Sequence, residues 1–490
     1  VRPVFAATAR DTKTTSLLPR TLAGLVGVLL LVGWLGVRGI AFDSVWYDEW
    51  RTLVYIGSET PTAPADLFGV LGRVAAQSDA LNPPAYYLLL AAWGTLAGTH
   101  PAALRYLSVL LGLMTVTVIY RVGADGHTQA VGLAAAAILG TGATFGIYLH
   151  EIRAYPLALL AIALHLWTYQ RVRRPGAGWR AAAMFLAVLV VLAHTHYTAL
   201  LMLGGTFLHH LLLVRGRWWV LVLYVLAAAA MVPWLAVALG GGGLGNVQDR
   251  AGTALALPQL LETLTRMIGN EIAWVAVVPL LLAFGRGRLL WVYVLVGVVV
   301  LLTLNALVPF LCCRRYMLTL LPGLALLLAL GLTRWQVLAW ATVPLWIATG
   351  IIAGHDPTFA HDITNSPRWH FPWETVYSAY ADDGQPDDLM LVLLPGGVSD
   401  WMHAGPAAYY LPDADVDMLT TWRRDDVSDI TAQVAATATA YQRVWTVEKP
   451  SWEPYHRAAI HEELRMSLND CGVMRKDRDG LVRLYAADCP

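Results

Sequence analysis

The chain has 490 residues, of which 57% are hydrophobic and only 14% charged. Soluble domains carry about 25% charged residues, so most of this length reads as a polytopic membrane protein. Its 34 basic and 34 acidic residues cancel, which leaves no basic block to neutralise phosphates and excludes nucleic acid as a partner. The 20 Trp and 20 Tyr suit many membrane–water boundaries, where amphipathic rings collect. Four Cys are too few for a disulfide scaffold, and none has zinc-ligand spacing.

The first apolar run, 21–41, has no small-residue cleavage site after it and reads as a retained anchor. Further spans are expected near 102–121, 129–148, 156–170, 181–197, 198–214, 218–238, 270–285, 289–311, 316–333 and 335–353, about eleven in all. The run 83–97 is too short to span and reads as a juxtamembrane helix. Basic residues favour cytoplasmic loops. Arg10, Lys13 and Arg20 precede the first span, and Arg121, Arg171, Arg173, Arg174, Arg180, Arg217, Arg286, Arg288 and Arg334 follow even-numbered ones. All fall on one side if 83–97 does not cross, which places the amino terminus in the cytoplasm.

Five segments and the tail then face outward. The first loop, 42–101, carries the adjacent acids Asp48 and Glu49, in Trp46-Tyr47-Asp48-Glu49-Trp50. A carboxylate at the water-facing end of a bundle is cheap to solvate and can act as a base. Adjacent side chains diverge, so one acts while the other orients or binds, or both are solvated loop acids. Asn82-Pro83-Pro84-Ala85-Tyr86-Tyr87 reads as a rigid helix entry with interfacial tyrosines. At the next outer end stands His150-Glu151-Ile152-Arg153-Ala154-Tyr155. Arg153 can bind a phosphate bidentately, and Glu151 can pair with it or hold a metal. His194 and His196, two apart, diverge, and one can contact an anionic headgroup. The loop 239–269 opens with four glycines and suits a gate, with an amphipathic helix over Pro258–Met267. Arg314 and Arg315, against the positive-inside trend, call for an anionic lipid or phosphate. Glycines in a phosphate-binding strand–loop–helix setting are absent.

After residue 354 the long apolar runs stop. Strands are expected over 388–397, 443–447 and 481–485, and helices over 430–441 and 456–468. That alternation describes a small α/β domain. Cys471 and Cys489 in this tail are candidates for a disulfide on the oxidising side. The organisation expected is a transmembrane domain, 1–353, and a soluble extracytoplasmic domain, 354–490.

Three motifs in order, Trp46-Tyr47-Asp48-Glu49, Asn82-Pro83-Pro84-Ala85-Tyr86-Tyr87 and Arg105-Tyr106-Leu107-Ser108, resemble the amino-terminal pattern of GT-C fold membrane glycosyltransferases. The protein O-mannosyltransferase and aminoarabinose-transferase-like group is the most similar. His150-Glu151-Ile152-Arg153-Ala154-Tyr155 is similar to that family's Gln-Glu-x-Arg-x-Tyr element, and Arg315-Tyr316-Met317-Leu318 through Pro322 to its Arg-Tyr-Leu-x-x-x-x-Pro element. Asn82 and His150 depart from the family's His and Gln. The resemblance implies a polyprenyl-phosphate-linked sugar as donor and a glycan, lipid or protein acceptor, met at the outer face of the plasma membrane. It implies Asp48 as base, with Glu49 beside it in acceptor or metal contact. Arg153 and Arg315, or Arg314, are the implied phosphate partners. Glu151, His150, Asn82, Tyr87 and His196 are further candidates for substrate or metal contact. Family members differ in metal dependence, so a divalent metal stays open. The rival readings are a transporter or flippase of lipid-linked saccharides, which would want ionisable residues at mid-membrane, and a non-catalytic receptor.

Overall fold

The computed structural model describes residues 13–41, 44–60, 62–76, 83–214, 216–240, 256–270, 273–307, 314–354, 371–395, 401–412, 415–421, 426–449, 457–476 and 480–490. In chain order the helices begin with α1 (Lys13–Val37), α2 (Tyr47–Ile56), α3 (Leu67–Ala76), α4 (Ala85–Ala97) and α5 (Pro101–Gly126). Next come α6 (Gln129–Gly140), α7 (Ala143–Leu149), α8 (Tyr155–Val172), α9 (Trp179–Ala193), α10 (Tyr197–Leu201), α11 (Leu203–Leu213) and α12 (Trp219–Gly240). The membrane part closes with α13 (Leu257–Gly269), α14 (Ala273–Leu282), α15 (Arg288–Leu307), a 3₁₀ segment (Arg314–Leu320), α16 (Leu321–Leu332) and α17 (Gln336–Gly354).

Among the described residues, each expected span contains helix. Among the described residues, five segments are long and apolar enough to cross a membrane, namely α5, α12, α15, Arg315–Leu332 and Val337–Gly354. The pair α6 and α7, bent by 62°, makes a sixth if counted as one span. The remaining expected spans are shorter helices or miss that combined test. At 1.5 Å per residue, the 13 residues of α4 reach only about 20 Å, less than a bilayer core.

The chain forms two compact units from interleaved segments. The first comprises residues 1–38, 74–86 and 105–365. Its helices approach closely where side chains are missing. A Cβ on Gly123 would meet Gly132 Cα at 2.6 Å, so α5 and α6 pack backbone to backbone, as small residues allow between membrane helices. Helix α16 is buried along its whole length, as its all-round apolar sequence requires. The bend between α6 and α7 falls at Thr141-Gly142. There Asn270 Oδ1 accepts from Ala143 N at 3.1 Å, and Thr144 Oγ1 donates to Met267 O at 3.1 Å. Asn270 itself sits at φ 48° as the left-handed cap of α13, a conformation Asn tolerates better than most residues.

The second unit comprises residues 39–73, 87–104 and 366–490. Its core is a five-stranded sheet of β1 (Leu389–Pro395), β2 (Asp415–Thr421), β3 (Arg443–Glu448), β4 (Asn469–Lys476) and β5 (Leu481–Ala486), in the order β2-β1-β3-β5-β4. β1 runs parallel to β2 and β3, while β5 is antiparallel to β3 and β4. Helices α18 (Trp373–Asp383), α19 (Trp401–Tyr410), α20 (Val427–Ala438) and α21 (Arg457–Ser467) complete it. The continuous apolar run of β1 follows from burial on both faces. Met390, Val392 and Leu394 pack with Phe371, Trp373 and Val376, whereas Leu389, Leu391 and Leu393 pack with Ile430, Val434, Ile460 and Leu464. Cys471 and Cys489 form a disulfide.

Candidate active site

The acidic motif is built in the second unit. Trp46 is extended and precedes α2, placing Asp48 and Glu49 in the first helical turn, where the helix dipole favours negative charge. The two carboxylates have different surroundings. Glu49 is 0% exposed, and its Oε2 accepts from Trp46 N at 3.4 Å, the reach-back half of a capping box. Asp48 is only half-buried. The helix ends at Gly57, with φ 78°, a left-handed cap that favours glycine.

What holds α2 in place comes from the tail. Ser44 Oγ accepts from Glu374 N at 2.8 Å, and Tyr410 Oη accepts from Val45 N at 3.0 Å. A Cβ on Gly405 of α19 would lie 2.3 Å from the Trp50 ring, so that glycine lets α19 seat against α2. Arg51 donates to Tyr55 Oη at 2.8 Å and lies over the Tyr47 and Tyr55 rings. Tyr87 is buried edge-on against Tyr55, with centroids 4.7 Å apart.

A second cluster lies within the first unit. Between α7 and α8 the chain makes a short irregular turn over Glu151–Ala154, and α8 then starts with Pro156 in its first turn. The turn is pinned where it begins. His150 Nε2 donates to Leu35 O at 3.2 Å, and Ser108 Oγ donates to the Glu151 carbonyl at 2.7 Å. Both Glu151 and His196 are buried. The guanidinium of Arg153 lies 5.9 Å from the Tyr155 ring centre, and that of Arg315 lies 5.7 Å from the Tyr316 ring centre, within cation–π range. His196 stands between the two tyrosines, 5.4 Å from Tyr155 and 6.3 Å from Tyr316 by ring centres.

His196 is 6% exposed. The charges of Arg153 and Arg315 both act on this imidazole. Its Nδ1 accepts from Thr198 N at 3.2 Å, capping α10, which leaves the proton on Nε2. The cluster thus presents two guanidinium groups and a neutral N–H donor, a set suited to a phosphate.

Asn82 lies outside the described residues, as does the side chain of Arg314. Among the described residues no group of three or more His, Cys, Asp or Glu is placed to hold a metal ion. Residues to which the sequence alone assigns no role are Tyr155 and Tyr316, whose rings lie beside the arginines, and Ser44, Glu374 and Tyr410, which hold the acidic segment. The first pair had a signal, since each Tyr follows an Arg by one or two positions. The second set had none, because Ser44 and Glu374 stand 330 residues apart.

No protein-family model and no curated protein matches the sequence. Solved structures do. The chain has the GT-C fold of membrane glycosyltransferases and is a multi-pass membrane protein. ArnT from Cupriavidus metallidurans superposes in the apo state with a TM-score of 0.58 at 12% identity, covering 97% of this chain and 99% of that one. The same protein bound to undecaprenyl phosphate gives 0.58 and 12%, covering 97% and 98%. The mycobacterial arabinofuranosyltransferase AftD gives 0.48 at 16% identity, covering 96% of this chain and 40% of that one.

Proposed function

We propose that this protein transfers a sugar from a polyprenyl-phosphate donor to a hydroxyl of a glycan, lipid or protein acceptor on the extracytoplasmic side of the plasma membrane. The observation that carries this reading is the gathering of Arg153, Arg315 and His196 on a fold shared, nearly end to end, with a protein solved with undecaprenyl phosphate.

In this reading the Asp48 carboxylate takes the acceptor proton. The acceptor oxygen attacks the anomeric carbon, and the bond from that carbon to the phosphate oxygen breaks with its electron pair left on the phosphate. Arg153 and Arg315 stabilise the charge that develops there, and His196 Nε2–H adds a neutral hydrogen bond. Buried Glu49 holds the start of α2 so that Asp48 is presented. The Cys471–Cys489 disulfide supports an oxidising, outward location for the tail, and the basic-loop pattern supports a cytoplasmic amino terminus.

The test is turnover of a labelled polyprenyl-phosphate sugar by purified full-length protein. Asp48→Asn should lower transfer by about 10²–10⁴-fold, the contribution of a general base, with the protein still folded. A flippase would instead move the donor intact between leaflets and release no polyprenyl phosphate.

A further inference from the structure

On the face of the first unit where α5, α8 and α11 end, a cavity of about 300 Å³ is lined by Asp125, Gly126, Gln170, Arg173, Arg174 and Val214, with Pro175 at its edge. None of these residues belongs to the cluster around His196. Gln170 is 6% exposed, and among the described residues its Oε1 has no hydrogen-bond donor. A buried amide oxygen without a donor is destabilising, and Gln170 lines the cavity, so a ligand there that brings an N–H or O–H group relieves it. The Arg173 guanidinium lies 5.9 Å from the Tyr169 ring centre and has no ion pair among the described residues. Arg174 donates one bond to Asp125 O at 3.1 Å, leaving further N–H groups. The Asp125 carboxylate is already engaged by Arg121 at 3.0 Å and by Trp167 Nε1 at 3.0 Å.

The lining therefore offers cationic donors for an anion and, within the same small volume, a buried acceptor that lacks a donor. A phosphodiester without hydroxyls satisfies the first need and not the second. A zwitterionic choline headgroup brings no donor. We propose that this cavity binds a phosphodiester that also carries hydroxyl groups, of the phosphoglycerol type, with the phosphate on Arg173 and Arg174 and a hydroxyl donating to Gln170 Oε1. The source is either an anionic glycerophospholipid headgroup or a soluble glycerophosphodiester. The site is separate from the transfer chemistry, so its test does not depend on the donor.

Full-length protein, stripped of lipid in detergent, would be titrated by native mass spectrometry with short-chain phosphatidylglycerol, short-chain phosphatidylcholine and soluble glycerophosphoglycerol. Phosphatidylglycerol should bind at least about ten-fold more tightly than phosphatidylcholine. Arg173→Ala and Gln170→Leu should each weaken it about ten-fold, the loss of one charge-assisted or buried hydrogen bond. Comparable binding of glycerophosphoglycerol identifies the soluble source, and its failure to bind identifies the lipid; both agree with the proposed chemistry. Equal binding of the two lipids, or unchanged binding in Arg173→Ala, overturns it. If Gln170→Leu does not fold, Arg173→Ala alone decides.

Discussion

The Ser44 side chain accepts a 2.8 Å hydrogen bond from the backbone N–H of Glu374, joining the segment just before the acidic helix to the start of the carboxy-terminal tail. Val45, next in the chain, donates to the Tyr410 hydroxyl. The tail therefore does more than follow the membrane part: it grips the segment that leads into Asp48. Ser44→Ala leaves the Glu374 N–H without that acceptor and costs about 1–3 kcal/mol locally. Hydrogen exchange across residues 44–56 should speed up in Ser44→Ala and in Tyr410→Phe, with transfer activity falling in parallel. Unchanged exchange in both variants would show that these bonds do not hold α2.

The two acids should separate cleanly. Asp48→Asn is expected to lose transfer with an unchanged melting temperature. Glu49→Ala, which removes a fully buried side chain and its bond to Trp46 N, is expected to destabilise by about 1–3 kcal/mol. Melting curves and initial rates on both variants check the division. A stable, inactive Glu49→Gln beside an active Asp48→Asn would reverse the roles.

The disulfide bridges residues 18 apart in sequence. A loop of that size stabilises by about 3 kcal/mol in the chain-entropy model. Cys471→Ser with Cys489→Ser should therefore lower the unfolding temperature of the second unit, read by protease resistance of the tail, while reductant should have no further effect on the double variant.

Much of the helical architecture was legible because twenty-residue apolar runs have few alternatives. The tail's central strands, β1, β3 and β5, were legible for a related reason, since they are apolar and flanked by turn residues. β2 and β4 were not. Both are edge strands, and Asp415, Asp417, Arg475 and Lys476 put charge where a pattern search wants alternation. Helix α19 was hidden by Gly405 and Pro406 in its interior, residues that packing against Trp50 overrides. At the site, Arg153, His196 and Arg315 could be named one by one from their unusual position at the ends of apolar runs. Their meeting around one imidazole could not, because it depends on how three distant turns pack. The hold of Ser44 and Tyr410 on the acidic segment was invisible for the same reason, as was the interleaving of 39–73 and 87–104 with the tail.

The most direct test is release of polyprenyl phosphate from a labelled lipid-linked sugar by purified full-length protein, compared with Arg153→Ala, Arg315→Ala and Asp48→Asn. Release by the wild type in the presence of acceptor is expected, with a loss of about 10²-fold or more in each variant. Wild-type protein that leaves the donor intact across sugars and acceptors, or variants that release it as fast as the wild type, would contradict it.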